Sequence, residues 1–303
     1  MKRLLLIFAL LSVVFIGFGQ SMATFQYAEK DGQALYLDYY EPSHVTDSTI
    51  CVFYVFGGGF MEGERNGNFE RKYFAKLVDE GFMVVAIDYR LGLVGAKNLG
   101  LTNYEPVQNA IYMAAEDAIS ALAFIIECPD MKINRDLIVL MGSSAGAITV
   151  LQTDYALCNG FLNSDILPEE FRIAGVVSYA GAIFSHEGKV QYRNHKPAPT
   201  MMFHGTSDKL VNYNQLKLFN VGMFGTNKLV PRFEKYELPF YVRRYKGYGH
   251  SVAIFCPDTI DELKWFCEHY VMNKEQLQVD EMYVNNSSER PAWDSSTPDD
   301  LYK

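Results

Sequence analysis

The stretch Leu137-Ile138-Val139-Leu140-Met141-Gly142-Ser143-Ser144-Ala145-Gly146 predicts a buried strand that turns sharply into a helix. Its first five residues are apolar without interruption, as in a strand that is covered on both faces. Gly142 and Gly146 leave space for a strained turn, in which bulky side chains would clash with the strand and the helix. The Gly-x-Ser-x-Gly spacing therefore predicts Ser144 as a nucleophile, with Ser143, at the variable position, as the alternative.

Further apolar strands alternate with helical stretches on both sides of this turn. The predicted strands cover 25–29, 34–39, 50–56, 82–87, 137–141, 175–179, 200–204 and 240–245. The predicted helices cover 69–80, 106–126, a stretch from Ala145 onwards, and 260–271. The first two strands flank Lys30-Asp31-Gly32 and predict an antiparallel hairpin. Because largely apolar strands alternate with helices, we expect an α/β fold with a mostly parallel central sheet and helices on both faces.

The ends of the chain differ from the middle in composition. Met1-Lys2-Arg3 and the apolar run 4–18 match a secretory signal peptide, and small residues follow. We therefore predict a signal peptide at 1–23 and an exported protein that is periplasmic or secreted after cleavage, with an uncleaved N-terminal anchor as the alternative. Residues 24–274 are predicted to form one catalytic domain, and the acidic, polar stretch 275–303 is predicted to be a mobile tail.

The charge of the chain excludes some classes of partner. The net charge is −9, and removal of the predicted signal peptide with Lys2 and Arg3 takes it to −11. The sequence contains no basic stripe for phosphates and no basic amphipathic helix. We therefore predict that the mature protein binds neither nucleic acid nor a membrane.

Five cysteines, an odd number, follow the predicted signal peptide. They are Cys51, Cys128, Cys158, Cys256 and Cys267. Their spacing matches no zinc site and no redox motif, so we predict no metal. Cys256 and Cys267 could form a disulfide in an exported protein, whereas burial as small apolar residues is the alternative for all five.

A serine nucleophile needs a general base and an acid that orients the base. The candidate bases are His44, His186, His195, His204, His250 and His269. His250 is preferred because it follows the last predicted sheet strand in a glycine-rich loop and completes the chain order Ser, Asp, His. His204, at a strand end, is the alternative base. The predicted acid is Asp208, since Asp258 and Asp261 follow His250 and would break that order.

The glycine run Gly57-Gly58-Gly59 follows the predicted strand 50–56. Glycines let backbone N–H groups approach a substrate oxygen without obstruction by side chains. We predict an oxyanion hole formed by Gly58, Gly59 and Ala145, with a flexible glycine turn as the alternative.

Two long intervals and four charged residues have less specific interpretations. The intervals 155–171 and 212–239 could cover a pocket or could be ordinary crossovers with surface loops. The charged residues lie at a strand end and on the long predicted helix, and we expect them to tie loops together through ion pairs. They are Asp88, Arg90, Glu116 and Asp117.

Five motifs together resemble a known superfamily. They are Phe56-Gly57-Gly58-Gly59-Phe60, Asp88-Tyr89-Arg90-Leu91, Gly142-Ser143-Ser144-Ala145-Gly146, His204-Gly205-Thr206-Ser207-Asp208 and Gly249-His250. Over nearly the whole mature chain, the sequence resembles α/β hydrolases, and among them esterases related to hormone-sensitive lipase and to bacterial feruloyl or acetyl-xylan esterases. One residue departs from the pattern, because Phe56 stands where these esterases usually have histidine.

The resemblance implies the α/β-hydrolase fold and a serine carboxylesterase that needs no cofactor. The implied substrate is a small-molecule or oligosaccharide ester, for instance an acetylated or feruloylated polysaccharide fragment. One alternative is a peptidase of the prolyl-oligopeptidase type, although those enzymes usually add a propeller domain for which this chain has no room. Another is a catalytically inactive binding protein with the same fold, which the altered position Phe56 suggests.

Overall fold

A computed structural model describes residues 21–97, 99, 103–285 and 290–301. The strands in this part of the chain are β1 (Ser21–Lys30), β2 (Gln33–Glu41), β3 (Cys51–Val55), β4 (Met83–Ile87), β5 (Ile138–Ser143), β6 (Gly175–Tyr179), β7 (Ala182–Ser185), β8 (Thr200–Gly205), β9 (Gln215–Leu218), β10 (Val221–Gly225), β11 (Phe240–Tyr245) and β12 (Gln278–Tyr283). The helices are α1 (Asn68–Asp79), α2 (Glu105–Glu127), α3 (Ala145–Asn159), α4 (Thr226–Lys235), α5 (Ile260–Phe266) and α6 (Pro298–Leu301).

Nine strands form the main sheet in the order β1-β2-β4-β3-β5-β6-β8-β11-β12. β1 and β2 are an antiparallel hairpin, and β2 pairs antiparallel with β4. All other neighbours in this sheet pair in parallel. β3, β4, β5 and β6 are buried along their whole length, as expected for parallel strands that are covered by helices on both faces. The α/β architecture predicted from the sequence is confirmed.

The helix α2 is long and apolar enough to cross a membrane by length and composition alone. Ten of its residues are buried, and the helix packs against α3. Its apolar side is therefore part of the protein core. The predicted helix 260–271 is one continuous helical stretch in which the last part, Cys267–Met272, widens to a π-helix.

A second, three-stranded antiparallel sheet, β7-β10-β9, was not predicted. β9 is largely exposed and β10 is only partly buried, so neither strand has the continuous apolar run that marks a buried strand. The hairpin formed by β9 and β10, together with α4, occupies most of the interval 212–239.

The predicted boundary at residue 275 differs from the structure. β12 continues the main sheet, pairing in parallel with β11 from Gln278 to Tyr283. An edge strand is held by backbone hydrogen bonds on one side and buries little apolar surface, so the sequence of β12 carries no strong strand pattern. Residues 290–301 also contribute buried contacts, so this end of the chain is more than the mobile tail that was predicted.

At the other end, β1 begins at Ser21, inside the segment predicted as a signal peptide. Met22 pairs with Tyr40 and Ala23 with Tyr39 in the hairpin. The rest of the predicted signal peptide, residues 1–20, lies outside the described residues.

The charged residues predicted to be structural all lie in ion pairs: Asp88, Arg90, Glu116 and Asp117. The carboxylate of Asp117 is fully buried, and it lies 2.8 Å from Arg90 Nη2 and 2.9 Å from Lys30 Nζ. Arg90 also pairs with Asp31 in the hairpin turn. These contacts tie the β1-β2 hairpin to α2, which confirms the structural interpretation.

All five cysteines lie in the described part of the chain, and all are free. Cys256 and Cys267 are buried thiols and do not form the disulfide that the sequence left open. Burial raises the pKa of every one of the five thiols. The alternative interpretation, burial as small apolar residues, fits Cys51, Cys158, Cys256 and Cys267.

Candidate active site

Ser144 lies on the sharp turn between β5 and α3. Its backbone has φ 52° and ψ −117°, a strained conformation for a residue with a side chain. The flanking glycines are required by close packing. A Cβ on Gly142 would lie 2.3 Å from the Gly146 carbonyl group, and one on Gly146 would lie 2.0 Å from the Val55 carbonyl oxygen. The turn therefore holds the Ser144 side chain above the end of the sheet.

The neighbouring Ser143 has a different role. Its hydroxyl is buried and donates a hydrogen bond of 2.6 Å to the carbonyl oxygen of Ala253. Ala253 belongs to the short 3₁₀ segment His250–Ile254. Ser143 thus anchors the segment that carries the predicted base and is not available as a nucleophile.

The structure brings Ser144, His250 and Asp208 into one hydrogen-bonded chain. Ser144 Oγ lies 2.8 Å from His250 Nε2, and His250 Nδ1 lies 2.8 Å from Asp208 Oδ2. The three residues follow β5, β11 and β8, whose carboxyl ends meet at one edge of the parallel sheet. This is the edge at which α/β proteins of this kind bind ligands.

The carboxylate of Asp208 is fixed by several donors. Its Oδ1 accepts the backbone N–H groups of Leu210 at 3.0 Å and Val211 at 3.1 Å. Burial raises the pKa of the Asp208 carboxyl, but hydrogen bonds from His204 and His250 outweigh burial and lower the pKa from 3.8 to about 2. Asp208 is therefore ionised at neutral pH and can hold the imidazole of His250.

His204, the alternative base, does not reach Ser144 through this chain. It is fully buried, with Nε2 2.9 Å from the Val211 carbonyl oxygen and 3.3 Å from Asp208 Oδ2. Nδ1 lies 2.9 Å from Thr226 Oγ1. Because a carbonyl oxygen can only accept, Nε2 carries a hydrogen. His204 thus supports the loop that carries Asp208.

The glycine loop of the predicted oxyanion hole lies beside Ser144. Gly58 has φ 108° and Gly59 has φ 63°, conformations that favour glycine, and a Cβ on Gly58 would lie 2.0 Å from the Glu62 carbonyl oxygen. Ala145 is the first residue of α3, where backbone N–H groups have no partner within the helix. Gly58, Gly59 and Ala145 line the space around Ser144.

The loop is held without the usual histidine. The Phe56 ring stacks on Tyr89, with ring centroids 4.4 Å apart. The Tyr89 hydroxyl lies 3.1 Å from the Phe56 carbonyl oxygen and 3.3 Å from that of Gly57. Tyr89 therefore fixes the backbone on which the predicted oxyanion donors lie.

Two spaces meet at Ser144. A cavity of about 260 Å³ has a mostly apolar lining on one side, including Ile148, Phe184 and Met223. A wider cleft of about 510 Å³ on the other side is lined by residues that include Phe69 and Trp293. Of the two long intervals, 212–239 contributes to the wall of the apolar cavity through β9 and β10, whereas 155–171 contributes no lining residue to either space.

Comparison with known proteins agrees with the fold. Residues 37–184 match the BD-FAE family, a span that includes the glycine loop and Ser144 and ends before Asp208 and His250. The native structure of a thermophilic esterase, Est2 from Thermogutta terrifontis, superimposes with a TM-score of 0.59 at 18% identity, covering 81% of this chain and 91% of its own. The chain has the α/β-hydrolase fold.

Two further structures of the Thermogutta terrifontis enzyme are similar to this chain. The propionate-bound form has a TM-score of 0.59 at 18% identity and covers 81% of this chain and 93% of its own. The form phosphoramylated by tabun has a TM-score of 0.58 at 18% identity, with 82% and 94% covered. At such identity these structures establish the fold. No curated protein matches the sequence. The family match covers just under half of the chain, residues 37–184.

Sequence reasoning missed the parts of the site that come from distant segments. Tyr89 lies in the motif Asp88-Tyr89-Arg90-Leu91, but its contact with the glycine loop depends on how β3 and β4 pair. Trp293 and Leu301, in the predicted mobile tail, line the cleft. Asp294 contacts the loop of His250. No pattern in the sequence of this segment indicates these contacts.

Proposed function

We propose that this α/β hydrolase is an exported serine carboxylesterase with Ser144 as nucleophile, His250 as general base and Asp208 as the acid that orients His250. The observation that carries the proposal is the pair of 2.8 Å hydrogen bonds that runs from Ser144 through His250 to the buried Asp208. This chain of hydrogen bonds ends at Ser144, and the strained backbone of Ser144 directs its hydroxyl towards a substrate-sized space.

The arrangement supports acyl transfer in two halves. His250 Nε2 accepts the proton of Ser144 as Oγ attacks the ester carbonyl carbon, and Asp208 stabilises the imidazolium. The backbone N–H groups of Gly58, Gly59 and Ala145 donate to the oxyanion. His250 then protonates the departing alcohol. Water, deprotonated by the same imidazole, then attacks the acyl-enzyme, and His250 returns the proton to Ser144 Oγ as the bond to the acyl group breaks and the carboxylic acid leaves.

The two spaces at Ser144 suggest how an ester lies in the site. The acyl group fits the apolar cavity, and the alcohol fits the wider cleft, where Phe69 and Trp293 are exposed aromatic side chains. Rings of this kind offer flat apolar surface to a sugar. The similar Thermogutta terrifontis esterase is described with propionate bound. We propose an acetylated or feruloylated polysaccharide fragment as substrate.

The nucleophile is tested by hydrolysis of p-nitrophenyl acetate. We expect Ser144→Ala to lower kcat/KM by at least about 10³-fold, because the covalent route is lost. Ser48→Ala is the control, since it removes an exposed serine hydroxyl outside the candidate site, and it should retain wild-type activity. A fluorophosphonate probe should label the wild type and not Ser144→Ala.

Each other outcome identifies an alternative. If Ser144→Ala retained most of the activity, the assignment of Ser144 as nucleophile would be wrong. Absence of labelling and of turnover in folded wild type would favour the binding protein, and release of dipeptides from chromogenic amides without ester preference would favour the peptidase. A panel of simple esters and of acetylated or feruloylated oligosaccharides tests the substrate.

Export is proposed from the sequence of the first residues. Because Met22 and Ala23 pair in the hairpin, we expect cleavage before Ser21. Cell fractionation with N-terminal sequencing of the product tests both points, and an uncleaved protein in the cytoplasm would contradict them.

A further inference from the structure

The loop that carries His250 is hydrogen-bonded to the C-terminal part of the chain. Asp294 Oδ1 accepts the backbone N–H of Gly249 at 3.0 Å and that of Ser251 at 2.9 Å, the residues directly before and after His250. Asp294 Oδ2 also lies 3.0 Å from the Gly249 nitrogen. Asp294 is buried. One carboxylate therefore fixes the backbone on both sides of the candidate base.

The packing leaves this loop little freedom. A Cβ on Gly249 would lie 1.7 Å from the Asp294 carbonyl oxygen, so the two backbones touch and only glycine fits. The adjacent 3₁₀ segment Ala292–Ser295 packs against His250–Ile254. The approach of the two segments is therefore set by backbone contact as well as by the carboxylate.

A second contact extends the same support. The guanidinium of Arg290 lies over the Tyr248 ring, 3.8 Å from its centroid, and its Nη1 donates to the Gly247 carbonyl oxygen. The described segment from Arg290 to Asp294 thus covers the whole loop from Gly247 to Ser251. This support comes from residues that the sequence places far from every motif of the site.

We propose that Asp294 is a positioning residue for His250. It acts through the backbone of Gly249 and Ser251, which sets where the imidazole lies relative to Ser144 Oγ. A displacement of about 1 Å at a reacting group can cost on the order of 100-fold in rate, so a carboxylate that fixes both neighbours of the base bears directly on turnover. The inference rests on the proposed function, in which His250 is the base.

Steady-state kinetics of Asp294→Ala and Asp294→Asn test the proposal. We expect Asp294→Ala to lower kcat for p-nitrophenyl acetate by roughly 10- to 100-fold while KM stays within about twofold, because proton transfer is affected more than binding. Asp294→Asn keeps an oxygen that can accept from both N–H groups, so it should restore kcat to a value between those of Asp294→Ala and the wild type. Labelling by the fluorophosphonate probe should slow in the same order.

Asp299→Ala is the matched control, since it removes an exposed carboxylate from the same segment and should leave kcat unchanged. Assays are run well below the unfolding midpoint of each variant, and circular dichroism gives the folded fraction. Wild-type kcat in Asp294→Ala would overturn the proposal. A fall in kcat no larger than the fraction of Asp294→Ala that is unfolded would also overturn it, and so would an equal fall in kcat in Asp299→Ala. If Asp294→Ala does not fold, Asp294→Asn alone decides, and either wild-type kcat or a complete loss of kcat in folded Asp294→Asn would overturn the proposal. Retained activity in Ser144→Ala would instead overturn the proposed function.

Discussion

At the residue scale, the glycine loop depends on Tyr89. Its hydroxyl lies within hydrogen-bonding distance of two consecutive carbonyl oxygens, those of Phe56 and Gly57, and its ring stacks on Phe56. A histidine at position 56 is what similar esterases usually carry. Here the Phe56 side chain packs on the Tyr89 ring, and the Tyr89 hydroxyl, just after the end of β4, supplies the hydrogen bonds to the loop. The backbone donors of the loop need no particular side chain, so the substitution at Phe56 is compatible with an oxyanion hole.

Tyr89→Phe isolates the hydroxyl of this residue. We expect kcat for p-nitrophenyl acetate to fall by about 3- to 10-fold, because the ring stacking stays while the carbonyl oxygens lose a donor worth about 1 kcal/mol. Tyr270→Phe is the control, since its hydroxyl donates to the Phe240 carbonyl oxygen at 2.9 Å, at the opposite end of β11 from His250. Unchanged kcat in Tyr89→Phe, or an equal loss in Tyr270→Phe, would contradict the assigned role.

At the element scale, α3 connects the nucleophile to the segment that leads into β8. It begins directly after Ser144, and its buried Asp154 accepts the backbone N–H of Ala198, just before β8 begins, at 3.2 Å. Burial raises the pKa of the Asp154 carboxyl from 3.8 to about 7. The folded state therefore binds a proton more tightly than the unfolded state, and the native protein loses stability as the pH rises from about 4 to about 7.

Asp154→Asn removes this ionisation. We expect its free energy of unfolding, relative to the wild type, to rise by roughly 2–4 kcal/mol between pH 4 and pH 7.5, because a tenfold change in proton affinity corresponds to about 1.4 kcal/mol. Urea unfolding of both proteins across this range measures the difference. Parallel pH curves for the two proteins would contradict the prediction.

The elements that sequence patterns predicted well are those that the core covers on both sides. β6 and β11 begin and end at the predicted residues, and β3, β4 and β5 differ from the prediction by one or two residues at their ends. The continuous apolar runs of β3 and β4 reflect burial on both faces. β9 and β12 were missed because exposed or edge strands are held by backbone hydrogen bonds, which any sequence can form.

At the scale of the whole molecule, ion pairs attach the N-terminal hairpin to the rest of the protein. Arg90 reaches the fully buried carboxylate of Asp117 on α2 and the hairpin turn at Asp31. Lys30 adds a second cation beside Asp117. A buried ion pair contributes little by itself, but removal of one partner leaves a charge without compensation.

Arg90→Ala should lower the free energy of unfolding by about 3 kcal/mol, because Lys30 compensates Asp117 only in part. Chemical denaturation at neutral pH measures the loss. Lys132→Ala is the control, since it breaks the more exposed pair with Glu41 and should cost less than about 1 kcal/mol. Equal effects of the two substitutions would contradict the structural role of the buried pair.

The order of the motifs along the chain predicts much of the site. Ser144, Asp208 and His250 each follow a predicted strand, and parallel strands bring their carboxyl ends to one edge, so the sequence alone placed the three residues near one another. The same argument placed Gly58 and Gly59 beside the nucleophile. The spacing of the motif also ranked Ser143 below Ser144, although it could not show that the Ser143 hydroxyl binds Ala253.

The sequence by itself determined the fold and the candidate nucleophile, base and acid, because apolar periodicity and steric demands at glycine are local properties of a chain. Only the tertiary structure decided that Tyr89 holds the glycine loop and that Asp294 braces the loop of His250. These contacts join segments that are far apart in the sequence, and a single hydrogen bond imposes no periodic pattern on its neighbours. The walls of the two spaces at Ser144 were decided in the same way, by β9, β10 and the C-terminal segment packing over the edge of the sheet.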